Sequence, residues 1–355
     1  MSGATGKRPG IRSAVAALAA LVLASAVLSS CVAVKSDVHA DANDLANASD
    51  ATLENAYNQM KEPYYYEVQQ EMAEKAVPHG SGSYVVPAVR YSGKSADADV
   101  RIGSYEGKDH VLLWSNPKGW IEYEIEVEDE GLYEITAEYA PISDGNRRNR
   151  RASILSVQVN GGYPFREARS LSFEREFRNE PPRYDSEGNQ LQSLIEEIRG
   201  WKAKPFRDSD GAYAQSLLWH LRKGNNRIRL QLSQQPIAFK SFTIRPPEET
   251  VPYAEAAASL PDAAAKTGDV IVIEGEQFAK KNSTSIQTQY DRDAFTTPKS
   301  LKNRIYNVVG GWGWYKGGQS VSWEFEVPED GLYKIGMRVN QSLRKNLSVF
   351  RTIYI

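Results

Sequence analysis

An internal repeat constrains this chain more than any other feature. "YEIEVEDEGLYEI" at 123–135 aligns without gaps with "WEFEVPEDGLYKI" at 323–335, and seven of the thirteen positions are identical. Apolar and charged residues alternate with period two, the spacing of a strand that buries one face. Tyr123, Ile125 and Val127 fall on one side of such a strand, and Glu122, Glu124 and Glu126 on the other. The acidic segment ending in Gly131, or Gly331 in the second copy, predicts a turn between two strands. Glycine there is expected to supply a positive φ at low steric cost.

The repeat extends in both directions. "VVPAVRYSGK" from Val85 aligns with "VIEGEQFAKK" from Val272, and "LSVQVNGG" in the first copy corresponds to "FRTIYI" in the second. The first copy closes with "HLRKGNNRIRLQL" and "IAFKSFTIRPP", two further strand candidates. These limits place the first module at 84–247, a Pro/Ala-rich linker at 248–268, and the second module at 269–355. The second copy has no closing strands before Ile355, so it is expected to be the incomplete start of a module in a longer protein. Within the first module, 162–215 is an irregular insertion with a short helix candidate near 190–199. A loop of that length is usually functional or poorly ordered.

The front of the chain carries an address. Lys7, Arg8 and Arg12 precede a small, apolar run at 14–28, followed by Ser29, Ser30 and Cys31. A positive start, an apolar stretch too short to span a bilayer, and small residues before a cleavage point predict a secretory signal at 1–30. Cys31 is the only cysteine, so no disulfide forms within one chain. Leu28-Ser29-Ser30-Cys31 resembles a bacterial lipobox, which implies that Cys31 becomes the first residue and carries lipid. Several acyl chains hold a protein on a membrane stably where one does not. Residues 31–83, rich in Ala, Asp and Asn and ending in "PHGSGS", read as a partly helical tether. The Tyr64-Tyr65-Tyr66 run within it fits a packed short helix or a docking patch. The expected location is the outer face of the cell membrane.

Charge then excludes one partner class. The chain holds 43 basic and 45 acidic residues, and loss of the signal leaves a net charge of −5. No basic excess remains to neutralise phosphates, so nucleic acid is not an expected partner. His39, His79, His110 and His220 lie too far apart for a histidine metal site. No Ser-His-Asp set, phosphate loop or metalloprotease motif is visible, and no carboxylate pair stands out for glycoside hydrolysis. The chain is not expected to be an enzyme.

The ordered series "VIEGEQF", a Gly/Trp-rich loop and "VSWEFEVPEDGLYKIGMRV" resembles carbohydrate-binding modules of the galactose-binding-like type, as in families 6 and 35. The closing "GNNRIRL…FTI" of the first copy is similar to their last strands. The resemblance implies an all-β fold of tandem antiparallel jelly-roll β-sandwiches, the second truncated, with the 123–135 pattern forming a hairpin. It implies an oligo- or polysaccharide partner. Lipobox, tether and tandem sandwiches together also look like the front of large solute-binding lipoproteins that deliver sugars to an ABC permease. Accessory modules of a surface polysaccharide-degrading enzyme, or a structural spacer, remain alternatives.

Specific residues carry these expectations. Glu274 and Glu276, two apart on an expected strand, would point both carboxylates to one face, a hard-oxygen pair suited to calcium; a solvated acidic pair is the alternative. In the resembled modules this pair helps bind a structural calcium. Pro87, Val89 and Lys240 stand at the corresponding positions of the first copy, which is therefore expected to be metal-free. The stretch 307–319, "NVVGGWGWYKGGQ", offers Trp312, Trp314 and Tyr315 as flat faces for sugar rings. Trp314 aligns with Trp114 and fits a scaffold role, whereas Trp312 has no counterpart. Trp201, Arg207, Asp208, Asp210 and Tyr213 form a polar-aromatic loop in the first copy, open to ligand or to plain surface chemistry. "NRRNRR" at 146–151 fits an anionic sugar or a solvated loop.

Overall fold

The alternating segments of the first copy become strands whose apolar faces close on one another. A computed structural model describes residues 61–143, 150–249, 251–259, 270–331, 333–341 and 348–355. The signal, Cys31, most of the tether, Asn146–Asn149 and the middle of the linker lie outside the described residues. In chain order the strands are β1 (Tyr84–Pro87), β2 (Gly93–Lys94), β3 (Val100–Tyr105), β4 (Lys108–Trp114), β5 (Trp120–Val127), β6 (Gly131–Pro141), β7 (Ser153–Val159) and β8 (Leu171–Phe173). They continue as β9 (Glu176–Asn179), β10 (Arg183–Tyr184), β11 (Gln190–Leu191), β12 (Ile195–Ile198), β13 (Lys202–Pro205), β14 (Leu218–Leu221), β15 (Gly224–Gln234) and β16 (Ile237–Arg245).

One antiparallel sheet runs in the order β13-β6-β16-β4-β3, with β1 also on β16 and β14 also on β6. A second runs β2-β5-β15-β7-β8. Between them lies one core. Trp114, Tyr133, Ile135, Tyr139, Phe239 and Phe242 come from the first sheet, and Ile121, Tyr123, Val127, Val157, Leu230 and Leu232 from the second. The rings of Tyr123 and Phe242 meet across the gap with centroids 5.2 Å apart. The first copy is an antiparallel β-sandwich. On the outer face of β5, Glu122 stands opposite Arg229 of β15 and pairs with it at 2.9 Å.

The repeated motif does not fold as a hairpin. β5 lies in the second sheet and β6 in the first, so residues 128–130 arch from one sheet to the other. Gly131 and Gly331 both lie outside the positive-φ glycines. What Gly131 supplies is room: a Cβ there would stand 2.5 Å from the Gly80 amide nitrogen. Gly80 donates its amide to Leu132 and Leu132 donates to Pro78, which stitches the end of the expected tether along β6.

That segment contributes further back as well. Helix α1 (Tyr65–Glu74) buries Tyr65 and Val68 in the sandwich core. The Tyr65 ring meets Phe165 and Tyr213, each at 4.9 Å, and its hydroxyl accepts from the Leu218 amide at 2.9 Å. Of the Tyr run, Tyr65 therefore packs from a short helix, while Tyr64 precedes that helix and Tyr64 and Tyr66 are exposed; the compact unit begins at Tyr65. A second helix, α2 (Tyr253–Ser259), lies in the linker.

The insertion 162–215 is ordered as strands. The helix expected near 190–199 is β11 and β12 instead. Ile195 and Ile198 fit either period, and pairing decides between them: β12 lies on β9, where Glu196 meets Arg178 at 2.8 Å and Glu197 meets the buried Arg175 at 2.5 Å.

The second copy forms β17 (Lys280–Lys281), β18 (Gln287–Gln289), β19 (Val308–Gly310) and β20 (Val321–Ser322). It does not close into a sandwich. No strand is assigned to the described residues from 323 to 355, and Phe325, Tyr333, Ile335 and Val339 are exposed. In the first copy the matching strands are held by β15 and β16, and no equivalents of these lie among the described residues of the second. The second copy instead adds β17 and β20 to the insertion, in the order β12-β9-β17-β20, so the two copies share a sheet. Glu176 sits across this seam, 3.3 Å from both Lys202 and Lys280.

Candidate functional site

The Gly/Trp loop of the second copy is held from behind by polar side chains. Gln289 Nε2 donates to the Gly310 carbonyl at 3.0 Å, Ser285 Oγ to that of Gly313 at 2.8 Å, and Asn282 Nδ2 to that of Gly318 at 2.7 Å. Gln319 Nε2 adds a bond to the Gly313 carbonyl at 3.0 Å, and its Oε1 accepts from the Lys316 amide at 2.8 Å. A Cβ on Gly313 would collide with the Ser285 carbonyl, so glycine permits the close seat. Trp312 rides on the short 3₁₀ turn Gly311–Gly313 with 71% of its surface exposed, and Tyr315 is equally bare. Trp314 faces inward. Its ring abuts Gly310 and its indole N–H donates to Gln319 at 3.3 Å, as Trp114 donates to Lys118 at 3.1 Å in the first copy.

The first-copy residues are placed differently from one another. The Trp201 indole N–H is given to the carbonyls of Tyr105 and Glu106, both at 3.1 Å, and Lys108 lies over its ring. Asp208 is buried and turned inward on its own loop, accepting from the amides of Ala212 at 2.7 Å and Tyr213 at 3.4 Å. Burial raises its pKa, although those amide bonds pull the other way. Tyr213 donates to Glu167 at 2.9 Å, and burial with that bond pushes its hydroxyl up to about 12. Asp210 is exposed.

Two loops that the repeat places in separate modules meet here. A Cβ on Gly211 would overlap the Gly318 backbone, and one on Gly317 would overlap the Asp210 carbonyl. Tyr354 donates to the Ala214 carbonyl at 2.8 Å and accepts from Arg207 Nη1 at 3.3 Å, while Arg351 donates to the Trp314 carbonyl at 3.2 Å. Asp210, Trp314 and Tyr315 therefore share one neighbourhood, and Arg351 and Tyr354 join it. Those last two were not legible as site residues, because their segment, 350–355, aligns with a strand pattern of the first copy and not with a ligand loop.

Glu274 and Glu276 sit in a turn, not on a strand. The Gln277 amide donates to the Glu274 carbonyl at 3.0 Å and closes it. Glu274 Oε2 accepts from Thr297 at 3.3 Å. Glu276 Oε2 is buried without a hydrogen-bond partner, and burial, then the neighbouring Glu274 charge, raises its pKa. A buried carboxylate oxygen without a donor, beside a second carboxylate, fits a hard cation. Among the described residues no third His, Cys, Asp or Glu completes a cluster with them. In the first copy, the Ala88 amide donates to Lys240 at 3.0 Å, which brings that closing-strand residue beside the corresponding turn. Arg150 of the basic run donates to the Ile195 carbonyl at 3.0 Å and so serves the insertion.

The fold defines the class as an antiparallel β-sandwich with a partial second copy. Among solved structures, the chain is similar to the C-terminal family 6 carbohydrate-binding module of LamC from Zobellia galactanivorans, at 13% identity and a TM-score of 0.28, over 46% of this chain and 99% of that one. It is similar to a family 35 carbohydrate-binding module from Clostridium thermocellum, at 15% identity and a TM-score of 0.30, over 47% and 100%. A family 36 module of a xylanase from the hindgut metagenome of Trinervitermes trinervoides gives 9%, 0.28, 48% and 100%. No protein-family model and no curated protein matches the chain. The sandwich assignment stands on the strand pairing itself.

Proposed function

We propose that this chain is a carbohydrate-recognition region displayed outside the cell, with Trp312 as its principal sugar platform. One observation carries the reading. A large, flat, apolar ring stands exposed on a loop whose backbone is fixed by Asn282, Ser285, Gln289 and Gln319. Sugar rings stack on such faces, and a loop ordered before binding loses little freedom on capture. Tyr315 extends the platform. Trp201 and Asp208, engaged with their own surroundings, position the first-copy loop, and Asp210 remains free to reach a ligand.

The finer reading adds a lipid anchor at Cys31, supported by the sequence from Lys7 to Cys31. It places the chain at the front of a solute-binding protein that serves an ABC sugar permease. It also assigns a structural calcium to Glu274 and Glu276, supported by the unpartnered Glu276 oxygen.

The test is Trp312→Ala in the full chain, with a glycan panel and a thermal melt. Glycan binding is expected to fall tenfold or more while Tm stays within about 1 °C of the parent, because surface substitutions usually change stability by less than ~0.5 kcal/mol. Unchanged binding to every glycan the parent retains removes Trp312 from the site.

A further inference from the structure

We propose that the seam between the two copies is a single binding surface for an acidic, carboxylate-bearing polysaccharide, gripped by cations that stand over aromatic rings. This rests on the carbohydrate-recognition reading and narrows it to a charge class of ligand.

Three rings and three cations converge on the Gly211–Gly318 contact. Arg207 lies 5.5 Å from the Tyr354 ring centre, Arg351 lies 5.1 Å from Trp314, and Lys316 lies 5.7 Å from Tyr315. The bonds already described tie these pairs together: Arg207 and Ala214 to Tyr354, Arg351 to the Trp314 carbonyl, and the 210–211 backbone to 317–318. None of the three cations forms an ion pair among the described residues. Arg207 Nε is moreover buried with no acceptor.

The contrast with the rest of the molecule gives the charge its meaning. On the insertion and the first sandwich several basic residues are answered by acids, among them Arg175 by Glu197, Arg178 by Glu196, Lys204 by Glu174 and Arg229 by Glu122. On the two seam loops there are two carboxylates. Asp208 is turned inward, and Asp210 alone is exposed. A net-acidic chain therefore presents a local positive surface beside Trp312, Tyr315 and Tyr354, which are 71%, 70% and 65% exposed. Rings take the apolar face of a sugar, and guanidinium and ammonium groups take its carboxylates, with Arg suited to bidentate contact. A neutral glycan uses only the rings, and a polyanion without rings uses only the charges. An acidic glycan uses both.

The experiment compares polygalacturonate with its methyl-esterified form, which keeps the backbone and removes the charge, and adds poly-glutamate as a polyanion without sugar. The full chain is titrated with each at two salt concentrations. Polygalacturonate is expected to bind at least tenfold more tightly than the ester, with affinity falling as salt screens the exposed cations. Arg351→Gln and Lys316→Gln should each remove that preference, and Lys316, fully on the surface, does so without a change in Tm. Trp312→Ala should weaken both sugars. Equal binding of polygalacturonate and its ester overturns the proposal and leaves the carbohydrate reading standing. Poly-glutamate binding as tightly as polygalacturonate also overturns it, because rings then contribute nothing. Failure of every glycan, across the wider panel as well, defeats the carbohydrate reading itself.

Discussion

The two copies share a backbone frame but diverge in what they hang on it. In the first copy, the Arg90 amide donates to Pro87, Ser92 to Glu122 and Ser95 to Trp120; in the second, Gln277 donates to Glu274, Ala279 to Ser322 and Asn282 to Ser320. β2 meets β5 in the register Gly93↔Glu122, and β17 meets β20 in the register Lys280↔Ser322 at the aligned positions. Even the side-chain locks recur. Ser95 Oγ accepts from Trp120 as Asn282 Oδ1 accepts from Ser320, both at 2.8 Å, and Tyr123 donates to Ala88 as Trp323 donates to Gly275. The repeat is thus real in space as far as 323, and it stops where the following strands lack the partners that β15 and β16 supply in the first copy. Turns and two-residue bridges tolerate the loss of those partners; long strands do not, because a pair of strands gains stability only by burying a face.

The largest expected effect tests this division. Tyr123→Ala should cost about 3–5 kcal/mol, since it removes a buried ring from between two sheets. Trp323→Ala, at the matched position, should cost about 1 kcal/mol, the worth of one hydrogen bond on a half-exposed residue. Chemical denaturation of the two full-length variants measures both. Equal losses would mean that the second copy has a core of its own.

Next comes the matched pair of lysines. Lys94 is exposed and donates to Ala98 at 3.2 Å, whereas Lys281 is 1% exposed and donates to Asn179 at 3.1 Å and to the Ile286 carbonyl, with no carboxylate among its partners. Burial pulls the Lys281 ammonium down to about 8 from its ordinary 10.5. The folded pKa therefore lies below the unfolded one. Between the two, the unfolded chain holds more protons, so stability rises with pH, while below about 8 the burial penalty is present in full. The parent should gain on the order of 2–3 kcal/mol between pH 8 and 10.5 relative to Lys281→Met, in which that slope is absent. A parent and variant with parallel pH profiles would show that water reaches Lys281.

What the sequence could show was likewise limited by which strand pairs with which. The inward set Tyr123, Ile125 and Val127 was legible because alternation depends only on the pleat. That β5 and β6 go to different sheets was not, since alternation names no partner. Gly131 was legible as obligatory but for the wrong cause: its crowding comes from Gly80, fifty residues away in the chain. At 195–198 both periods fit, and only the facing Arg175 and Arg178 decide. Trp312 could be separated from Trp314 by the repeat alone. Arg351 and Tyr354 could not be read as part of the site, because their placement depends on contacts with Trp314, Ala214 and Arg207 far away in the chain.

The smallest expected effect concerns the turns where the two copies differ most in chemistry. Pro87 and Val89 in one copy stand where Glu274 and Glu276 stand in the other, on turns closed by the same bond. If Glu274 and Glu276 hold calcium, the ion binds the native state alone and raises stability by about 1.4 kcal/mol at tenfold its Kd. Melts of the full chain with calcium, with magnesium and with chelator measure this. Calcium should raise Tm in the parent, and Glu276→Gln should abolish the rise. The same variant without calcium should melt at or slightly above the parent, because it removes a buried carboxylate oxygen that has no donor. Glu276→Gln thus moves Tm in opposite directions with and without the ion. A purely structural carboxylate would give a loss in both conditions, and a solvated one would give no change in either.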